Sequence, residues 1–221
     1  MCTARVMSSL ILHGYWRSSA AYRVRIALNL KGIPYQQVGH NLRSGAQREE
    51  GYLSLAPHGL VPALEVDGSV LIESPAILEW IEARWPSPPL LPKEPWAAAT
   101  VRAMAALVSC DIHPLNNLRV LNELKASFGA DDDSIKAWAR NWIEKGFGAL
   151  ERMVAQDGGL HAFGDMPTLA DCYLVPQLYS ARRFGVDVTP YPRLVAAAEA
   201  SERLPAVAAA HPRLQPDADS P

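Results

Sequence analysis

The spacing of apolar and polar residues over the first third of the chain predicts strand, helix and strand, in that order. Residues 10–12 are Leu-Ile-Leu, an apolar run typical of a buried strand. From residue 24 to residue 28 apolar side chains recur at helical spacing, and Gly32 ends the pattern. Residues 35–40 then favour an extended conformation, because Pro34 ends any helix before them.

Two further apolar runs predict a β-hairpin that leads into a second helix. Residues 60–66 and 69–72 flank Asp67-Gly68, a pair well suited to a tight hairpin turn. Ser74 is the predicted N-cap of the following helix, with a proline at its first position. We expect this half of the chain to form one domain over residues 9–87.

A proline-rich segment separates this domain from a helical half. Residues 85–95 contain five prolines and show no periodicity, which is typical of a stiff linker. We place the linker itself at residues 88–95. Beyond it helical spacing dominates, so we expect an all-helical domain over residues 96–221. Its last residues, from His211, are expected to lie over the surface or to be partly disordered.

Two motifs stand out in the helical half. The helix that starts at Trp96 meets Pro114, which is expected to kink it and to leave His113 and Asn117 on one face at i, i+4 spacing. The sequence Thr168-Leu169-Ala170-Asp171 has the spacing of a capping box at the start of another helix.

Composition narrows the classes of partner. The chain has 221 residues, 49% of them hydrophobic and 20% charged, which is typical of a globular protein. Its formal charge of −2 gives no pull towards nucleic acid or membranes, so a small molecule or a second copy is the expected partner. Three widely separated cysteines (Cys2, Cys110 and Cys172) and a start that fits neither a signal peptide nor a membrane span favour a cytoplasmic protein.

The junction between the first strand and the first helix is a candidate anion site. Ser18 or Ser19 is the expected N-cap, and a helix N-terminus offers unpaired N–H groups and the positive end of its dipole. An ordinary capped helix has the same pattern. A thiol-redox protein would carry Cys-x-x-Cys here, where this chain has Ser18 to Ala21. If the site handles a thiolate, the thiol must arrive with a ligand.

The hairpin region offers a second set of binding groups. Val61 precedes Pro62 and is therefore pushed towards an extended conformation, which leaves its N–H and C=O available to a peptide-like ligand. Glu73 could bind an ammonium group, and Ser74 at a helix start could bind a carboxylate. A cation and a carboxylate on one carbon describe an α-amino acid head group. In the helical half, His113, Asn117 and nearby arginines could orient an acidic substrate.

Taken together, these segments resemble the zeta class of glutathione transferases, from about Leu10 to the tail Arg213-Leu214-Gln215-Pro216-Asp217. The most specific matching pieces are Arg17-Ser18-Ser19 with Arg23-Val24-Arg25-Ile26-Ala27-Leu28, then Asp111-Ile112-His113-Pro114-Leu115-Asn116-Asn117, and Val186-Asp187-Val188-Thr189-Pro190-Tyr191-Pro192.

The resemblance implies an α+β thioredoxin-like N-terminal domain and an all-α C-terminal domain, in a homodimer that binds glutathione. The implied activity is glutathione-dependent isomerisation of maleylacetoacetate to fumarylacetoacetate. Ser18 or Ser19 would hold the thiolate, and Arg17, a third catalytic residue, would supply a cation for the dianionic substrate. The other implied ligand groups are Gln47, Val61, Pro62, Glu73 and Ser74 for glutathione, and His113, Asn117, Arg119 and Arg183 for a maleyl dicarboxylate.

Several alternatives stay open on the sequence. Maleylpyruvate is the closest alternative substrate, and Leu118 beside Arg119 leaves one cation fewer than an Arg-Arg pair, which favours the longer maleylacetoacetate. Conjugation of haloacids and glutathione binding without catalysis are the others. The zeta pattern commonly reads Ser-Ser-Cys, and this chain has Ala20 in place of the cysteine. The thiolate therefore lacks a polarisable neighbour, and the serine hydroxyl and the helix dipole must stabilise it without that help.

Overall fold

A computed structural model describes residues 9–219 of the chain. The predictions made for Cys2 and for the first eight residues of the chain lie outside the described residues. The structure divides into two compact units, one of residues up to Pro88 together with Ala206 onwards, and one of Pro89–Pro205. The predicted helical domain extends to residue 221, whereas in the structure its last described residues, 206–219, belong to the first unit.

The first unit is built on a four-stranded mixed sheet in the order β2-β1-β3-β4. The strands are β1 (Leu10–Gly14), β2 (Gln36–Gly39), β3 (Ala63–Val66) and β4 (Ser69–Ile72). The parallel pair β1 and β2 is joined through a helix, while β3 runs antiparallel to both β1 and β4. The predicted hairpin is confirmed, and Asp67 and Gly68 both have the positive φ (48° and 83°) that a tight hairpin turn requires.

Helices of the first unit pack their apolar sides onto this sheet. They are α1 (Ser19–Leu30), α2 (Glu50–Leu53) and α3 (Ser74–Arg84), with a 3₁₀ turn at Ala46–Arg48. The core on one face of the sheet consists of Leu10, Leu12, Val24, Leu28, Leu64, Ile77 and Ile81. On the other face Tyr52, Ala56 and Ala63 form a smaller cluster. This α+β arrangement agrees with the predicted N-terminal domain.

The second unit is helical in its described secondary structure. Its helices are α4 (Pro95–Ala106), α5 (Leu118–Phe128), α6 (Asp132–Asp157), α7 (Leu169–Arg183) and α8 (Pro192–Glu202), and a short helix α9 (Pro205–Ala209) follows. The predicted capping box is present: the Thr168 hydroxyl accepts from the first turn of α7, and Asp171 accepts from the Thr168 N–H at 2.8 Å. Among the described residues, no helix is long and apolar enough to cross a membrane.

The predicted kink before Pro114 takes a different form in the structure. The α-helical part of α4 ends at Ala106, and a π-helical turn (Leu107–Ile112) and a 3₁₀ turn (His113–Asn116) follow. Asn117 is then extended (φ −69°, ψ 145°) and caps α5. The prediction that His113 and Asn117 share one helical face is therefore wrong, because the i, i+4 relation holds only in a continuous α-helix.

Candidate functional site

The N-terminus of α1 has the features of an anion site. Ser18 is the N-cap, and its Oγ accepts a hydrogen bond from the Ala21 N–H at 3.2 Å. This settles the choice of cap between the two serines, since the buried Ser19 is the first helical residue. Because Ser18 uses an oxygen lone pair for the cap, its hydroxyl proton remains able to donate to an anion at the helix start.

A tight turn holds Arg17 next to this helix start. The Ser18 N–H donates to the Tyr15 carbonyl at 2.9 Å, so residues 15–18 close a four-residue turn. Arg17 is half-buried, and its guanidinium carbon lies 5.5 Å from the centre of the Trp16 ring. The turn thus presents a cation and a hydroxyl from adjacent residues.

The start of α3 differs from the prediction made for Ser74. Glu73, and not Ser74, occupies the N-cap position, with φ 69° and ψ 112°, and Ser74 is the first helical residue. The Ser74 hydroxyl does not cap the helix, because its buried Oγ accepts from Arg23 Nη1 at 3.2 Å. A positive φ costs a glutamate of order 1–3 kcal/mol, a strain that clusters at functional sites.

Arg23 is a functional candidate that sequence reasoning did not single out. It lies one turn into α1 and is 2% exposed, so its guanidinium places a buried positive charge directly behind the Ser74 hydroxyl. Such a charge favours a carboxylate bound at the start of α3. The signal in the sequence was a pair of arginines, Arg23 and Arg25, inside an otherwise apolar helical stretch.

The segment before β3 carries Val61 and Pro62, joined by a cis peptide bond. Neither the N–H nor the C=O of Val61 makes a hydrogen bond within the described part of the chain. The buried Tyr52 fixes the preceding residue, since its hydroxyl donates to the Leu60 carbonyl at 2.6 Å. An extended peptide could therefore pair with Val61 as with the edge of a sheet.

The ring of Tyr52 is itself supported by two histidines. The ring centres of Tyr52 and His40 are 4.4 Å apart, and His13 Nδ1 lies 3.1 Å from His40 Nε2. Burial lowers the pKa of His40, and the neighbouring His13 lowers it further, which favours a neutral imidazole that can share a proton with its neighbour.

Gln47 and Glu73 both lie close to the segment that precedes Val61. Gln47 is buried in the 3₁₀ turn, and its side-chain oxygen has no hydrogen-bond partner among residues 9–219. Its backbone carbonyl lies close to Gly59, two residues before Val61. In the neighbouring residue, His58 Nε2 lies 3.8 Å from Glu73 Oε1, which ties this segment to the start of α3.

Contacts within the first unit thus bring its predicted site residues into one neighbourhood. Arg23 joins α1 to the first turn of α3, and the loop ending at Val61 contacts both Gln47 and Glu73. A hydroxyl, helix N-termini, two arginines and a backbone segment that makes no hydrogen bond within residues 9–219 can together hold an anionic peptide. In the described part of the chain no cluster of three or more side chains could hold a metal ion.

The remaining predicted residues lie in the second unit. Asn117 caps α5 by accepting from the Arg119 N–H at 3.1 Å. Arg119 is exposed in the first turn of α5, where a cation opposes the helix dipole and a bound anion would offset that cost. His113 begins the 3₁₀ turn, and Arg183 is the last residue of α7, with its guanidinium carbon 5.5 Å from the Phe184 ring centre.

Family models identify the class of protein that has this fold and site. The glutathione S-transferase N-terminal domain matches residues 17–84, and the glutathione S-transferase C-terminal domain matches residues 132–214. The chain belongs to the glutathione S-transferase family.

Individual relatives narrow the comparison. The chain is 50% identical over 208 residues to a maleylpyruvate isomerase of Ralstonia sp, covering 93% of this chain and 98% of that protein. It is 48% identical over 209 residues to a maleylacetoacetate isomerase of Pseudomonas aeruginosa, covering 93% and 97%.

Solved structures agree with these relatives. A holo maleylpyruvate isomerase, described as a bacterial glutathione S-transferase in the zeta class, superposes with a TM-score of 0.93 at 49% identity over 95% of this chain and 100% of that one. A maleylacetoacetate isomerase of Anaeromyxobacter dehalogenans with bound dicarboxyethyl glutathione and citrate gives 0.87 at 45% identity, over 96% and 99%. The resemblance to the zeta class is confirmed.

Proposed function

We propose that this protein is a glutathione-dependent cis–trans isomerase that converts maleylacetoacetate to fumarylacetoacetate in aromatic catabolism. The observation that carries the proposal is the Ser18 hydroxyl, which caps α1 through its oxygen and keeps its proton for an incoming anion. No cysteine lies in the turn or the first turn of α1, so the reacting thiol comes from the ligand.

The residues of the first unit fit glutathione. The N–H and C=O of Val61, which make no hydrogen bond among the described residues, suit the cysteinyl backbone of the tripeptide, with Pro62 beside it. Ser74, with Arg23 behind it, suits the γ-glutamyl carboxylate, and Glu73 suits its ammonium group. The side-chain oxygen of Gln47 has no hydrogen-bond partner within residues 9–219 and suits an N–H donor at the glycyl end.

Glutathione, when bound, supplies a thiolate that adds reversibly to the conjugated double bond, so that the bond can rotate and the trans double bond can re-form when the thiolate leaves. Ser18 and the N-terminus of α1 hold that sulfur as an anion and lower the pKa of the thiol. Arg17, in the turn that leads into α1, offers a cation for a carboxylate of the dianionic substrate. Glutathione is unchanged at the end of the cycle, because the C–S bond that forms is also the bond that breaks.

The substrate is a dianion, and cationic side chains suit its carboxylates. Arg119 and Arg183 provide guanidinium groups, which match carboxylates in a bidentate geometry, and His113 and Asn117 add hydrogen-bonding groups. The dicarboxyethyl glutathione bound to the Anaeromyxobacter relative is a glutathione that carries a dicarboxylic group, which supports this class of substrate.

Maleylpyruvate is the second candidate substrate, and the 50% identity to the Ralstonia maleylpyruvate isomerase favours it. Leu118 beside Arg119 favours the longer maleylacetoacetate, since this pair supplies one cation fewer than an Arg-Arg pair would. The test measures isomerisation of each substrate with and without glutathione, and follows free glutathione in the same reaction. Turnover that requires glutathione without consuming it supports the isomerase, whereas stoichiometric loss of glutathione would show a conjugating transferase.

We also propose a cytoplasmic homodimer. Cys110 and Cys172 are not joined in a disulfide within residues 9–219, which suits a reducing compartment. Trp96 and Phe128 are 81% and 78% exposed, and aromatic side chains of this kind suit a protein interface. Light scattering of the purified chain measures the mass, and a monomer at micromolar concentration would contradict the dimer.

Ser74→Ala is expected to weaken glutathione binding by about tenfold to a hundredfold, because a hydrogen bond to a charged group contributes about 1.5–3 kcal/mol. The change in kcat at saturating glutathione is expected to be smaller. Calorimetric titration with glutathione measures the affinity. Ser69→Ala, which changes an exposed serine of β4, is the matched control. Equal affinities for all three proteins would contradict the proposed role of Ser74.

Tyr52→Phe is expected to weaken glutathione binding by about three- to tenfold without changing the thiol pKa of bound glutathione. The substitution removes the donor to the Leu60 carbonyl and loosens the segment that holds Val61, a loss of about 1 kcal/mol. Titration of glutathione into both proteins measures the effect. An unchanged affinity would show that Val61 is held without this hydrogen bond.

A further inference from the structure

The chain's C-terminal segment, residues 206–217, is fastened to α1 by side chains at helical spacing. Arg25 Nε donates to the Ala210 carbonyl at 3.1 Å, and Asn29 Nδ2 donates to the Ala206 carbonyl at 2.9 Å. One turn nearer the N-terminus of α1, the Tyr22 ring meets the His211 ring edge-on, with the centres 6.3 Å apart. The segment is therefore an integral part of the first unit rather than a loose tail.

The end of this segment reaches the turn that precedes α1. Asp217 accepts a hydrogen bond from the Trp16 N–H at 2.8 Å and a second from Gln37 Nε2 at 3.3 Å. Its side chain sits directly on Gly39, where a Cβ would lie 2.7 Å from the Asp217 Cβ. Only a glycine at the end of β2 leaves room for the aspartate in this position.

Both backbone polar groups of Trp16 are held by the C-terminal segment or by a residue bound to it. Asp217 holds its N–H, and Arg25 Nη2 donates to its carbonyl at 2.9 Å. The same Arg25 side chain binds Ala210, so it links the turn to the segment a second time. Trp16 is the second residue of the turn that ends at Ser18.

We propose that Asp217 is a positioning residue. It holds the turn of residues 15–18 in place, so that the Ser18 hydroxyl can donate to the glutathione sulfur. The inference rests on the proposed role of Ser18 in binding that sulfur. Its physical basis is that the hydroxyl and the helix N-terminus act over hydrogen-bond distances, where a displacement of about 1 Å can cost up to about a hundredfold in rate. Asp217 does not touch the substrate or the sulfur, and it acts through the Trp16 backbone.

Two substitutions remove the contact from opposite sides. Asp217→Ala deletes the acceptor, and Gly39→Ala keeps the acceptor but forces it away from the Trp16 N–H. Asp217→Asn retains one side-chain oxygen that can accept from Trp16, so it should restore most of the activity. Asp219→Asn is the matched control, since that exposed carboxylate lies two residues beyond Asp217 and pairs with Arg43.

The readouts are kcat, glutathione affinity, thermal unfolding and the pKa of the bound glutathione thiol, measured from the ultraviolet absorbance of the thiolate. We expect Asp217→Ala and Gly39→Ala each to lower kcat by about tenfold or more and to raise the thiol pKa, with affinity changed by less than about threefold. The control should equal the unaltered protein. If one variant does not fold, the other carries the test.

The outcomes separate this inference from the proposed function. If the unaltered protein binds glutathione as a thiolate but both variants keep its kcat and thiol pKa and lose only thermal stability, Asp217 is a structural residue and the inference fails. If the unaltered protein itself neither binds glutathione nor isomerises a maleyl substrate, the proposed function fails, and the inference fails with it.

Discussion

Replacing Ser18 by alanine is expected to lower kcat by about a hundredfold to a thousandfold, the cost of removing one donor to a developing or resident anion. Glutathione affinity is expected to change by less than about tenfold, because most ligand contacts are proposed to come from the loop before β3 and the start of α3. The pKa of the bound thiol should rise, since the hydroxyl donates to the thiolate but not to the thiol.

The helix cap complicates this experiment, because Ser18 also accepts from the Ala21 N–H. Removing an N-cap costs about 0.5–2 kcal/mol of stability, which could lower activity indirectly. Ser18→Gly separates the two effects, since glycine at an N-cap costs only a few tenths of a kcal/mol and has no side-chain donor. We expect Ser18→Gly to be nearly as stable as the unaltered protein and nearly as slow as Ser18→Ala.

Ser19→Ala tests the alternative assignment. Ser19 is buried and is the first residue of α1, and its side chain is not needed for the cap. We expect its loss to change kcat by less than about tenfold. Steady-state rates with a maleyl substrate measure all three variants. A larger loss from Ser19→Ala than from Ser18→Ala would move the thiolate role to Ser19.

Asp171→Ala is expected to lower the free energy of unfolding by about 3–5 kcal/mol, the range found when a buried charge network loses one partner. Asp171 is 1% exposed and accepts from the backbone N–H groups of Ala162 and Thr168 and from the hydroxyls of Thr168 and Ser201. Burial raises the pKa of the Asp171 carboxyl, and these donors act in the opposite direction. Without the carboxylate the donors stay buried and unpaired.

Asp131→Ala provides the matched control for this prediction. Asp131 caps α6 and accepts from the Ser134 N–H at 2.8 Å, but it is exposed, so water can replace it. We expect a loss of about 1 kcal/mol there. Chemical unfolding followed by tryptophan fluorescence measures both variants. Similar losses for the two would show that Asp171 acts only as an ordinary cap.

Local chemistry explains why several features could be predicted from the sequence. The hairpin at Asp67-Gly68 depends on the backbone preferences of two adjacent residues, and the structure has positive φ at both. The capping box at Thr168 and the cap at Ser18 depend on side chains that reach N–H groups two or three residues away. Their partners are neighbours in sequence, so the pattern contains the interaction.

Two local predictions were wrong, one where a distant residue engages the side chain and one where the helix does not continue. Ser74 has the sequence context of an N-cap, but Arg23, 51 residues away, engages its hydroxyl, and Glu73 takes the cap position. His113 and Asn117 have helical spacing, but the chain leaves the α-helix at Ala106. Gly146 packs closely against the end of the π-helical turn that follows, since a Cβ at Gly146 would lie 2.2 Å from Ile112 Cδ1.

The sequence by itself determined the order of strands and helices, the candidate thiolate site and, through its motifs, the family. Those features follow from preferences and spacings within a few residues. Only the tertiary structure decided that Arg23 lies behind Ser74, that Tyr52 holds Leu60, and that Asp217 holds Trp16 across 201 positions. Such contacts depend on how the sheet and helices pack, and no short-range pattern in the chain encodes that packing.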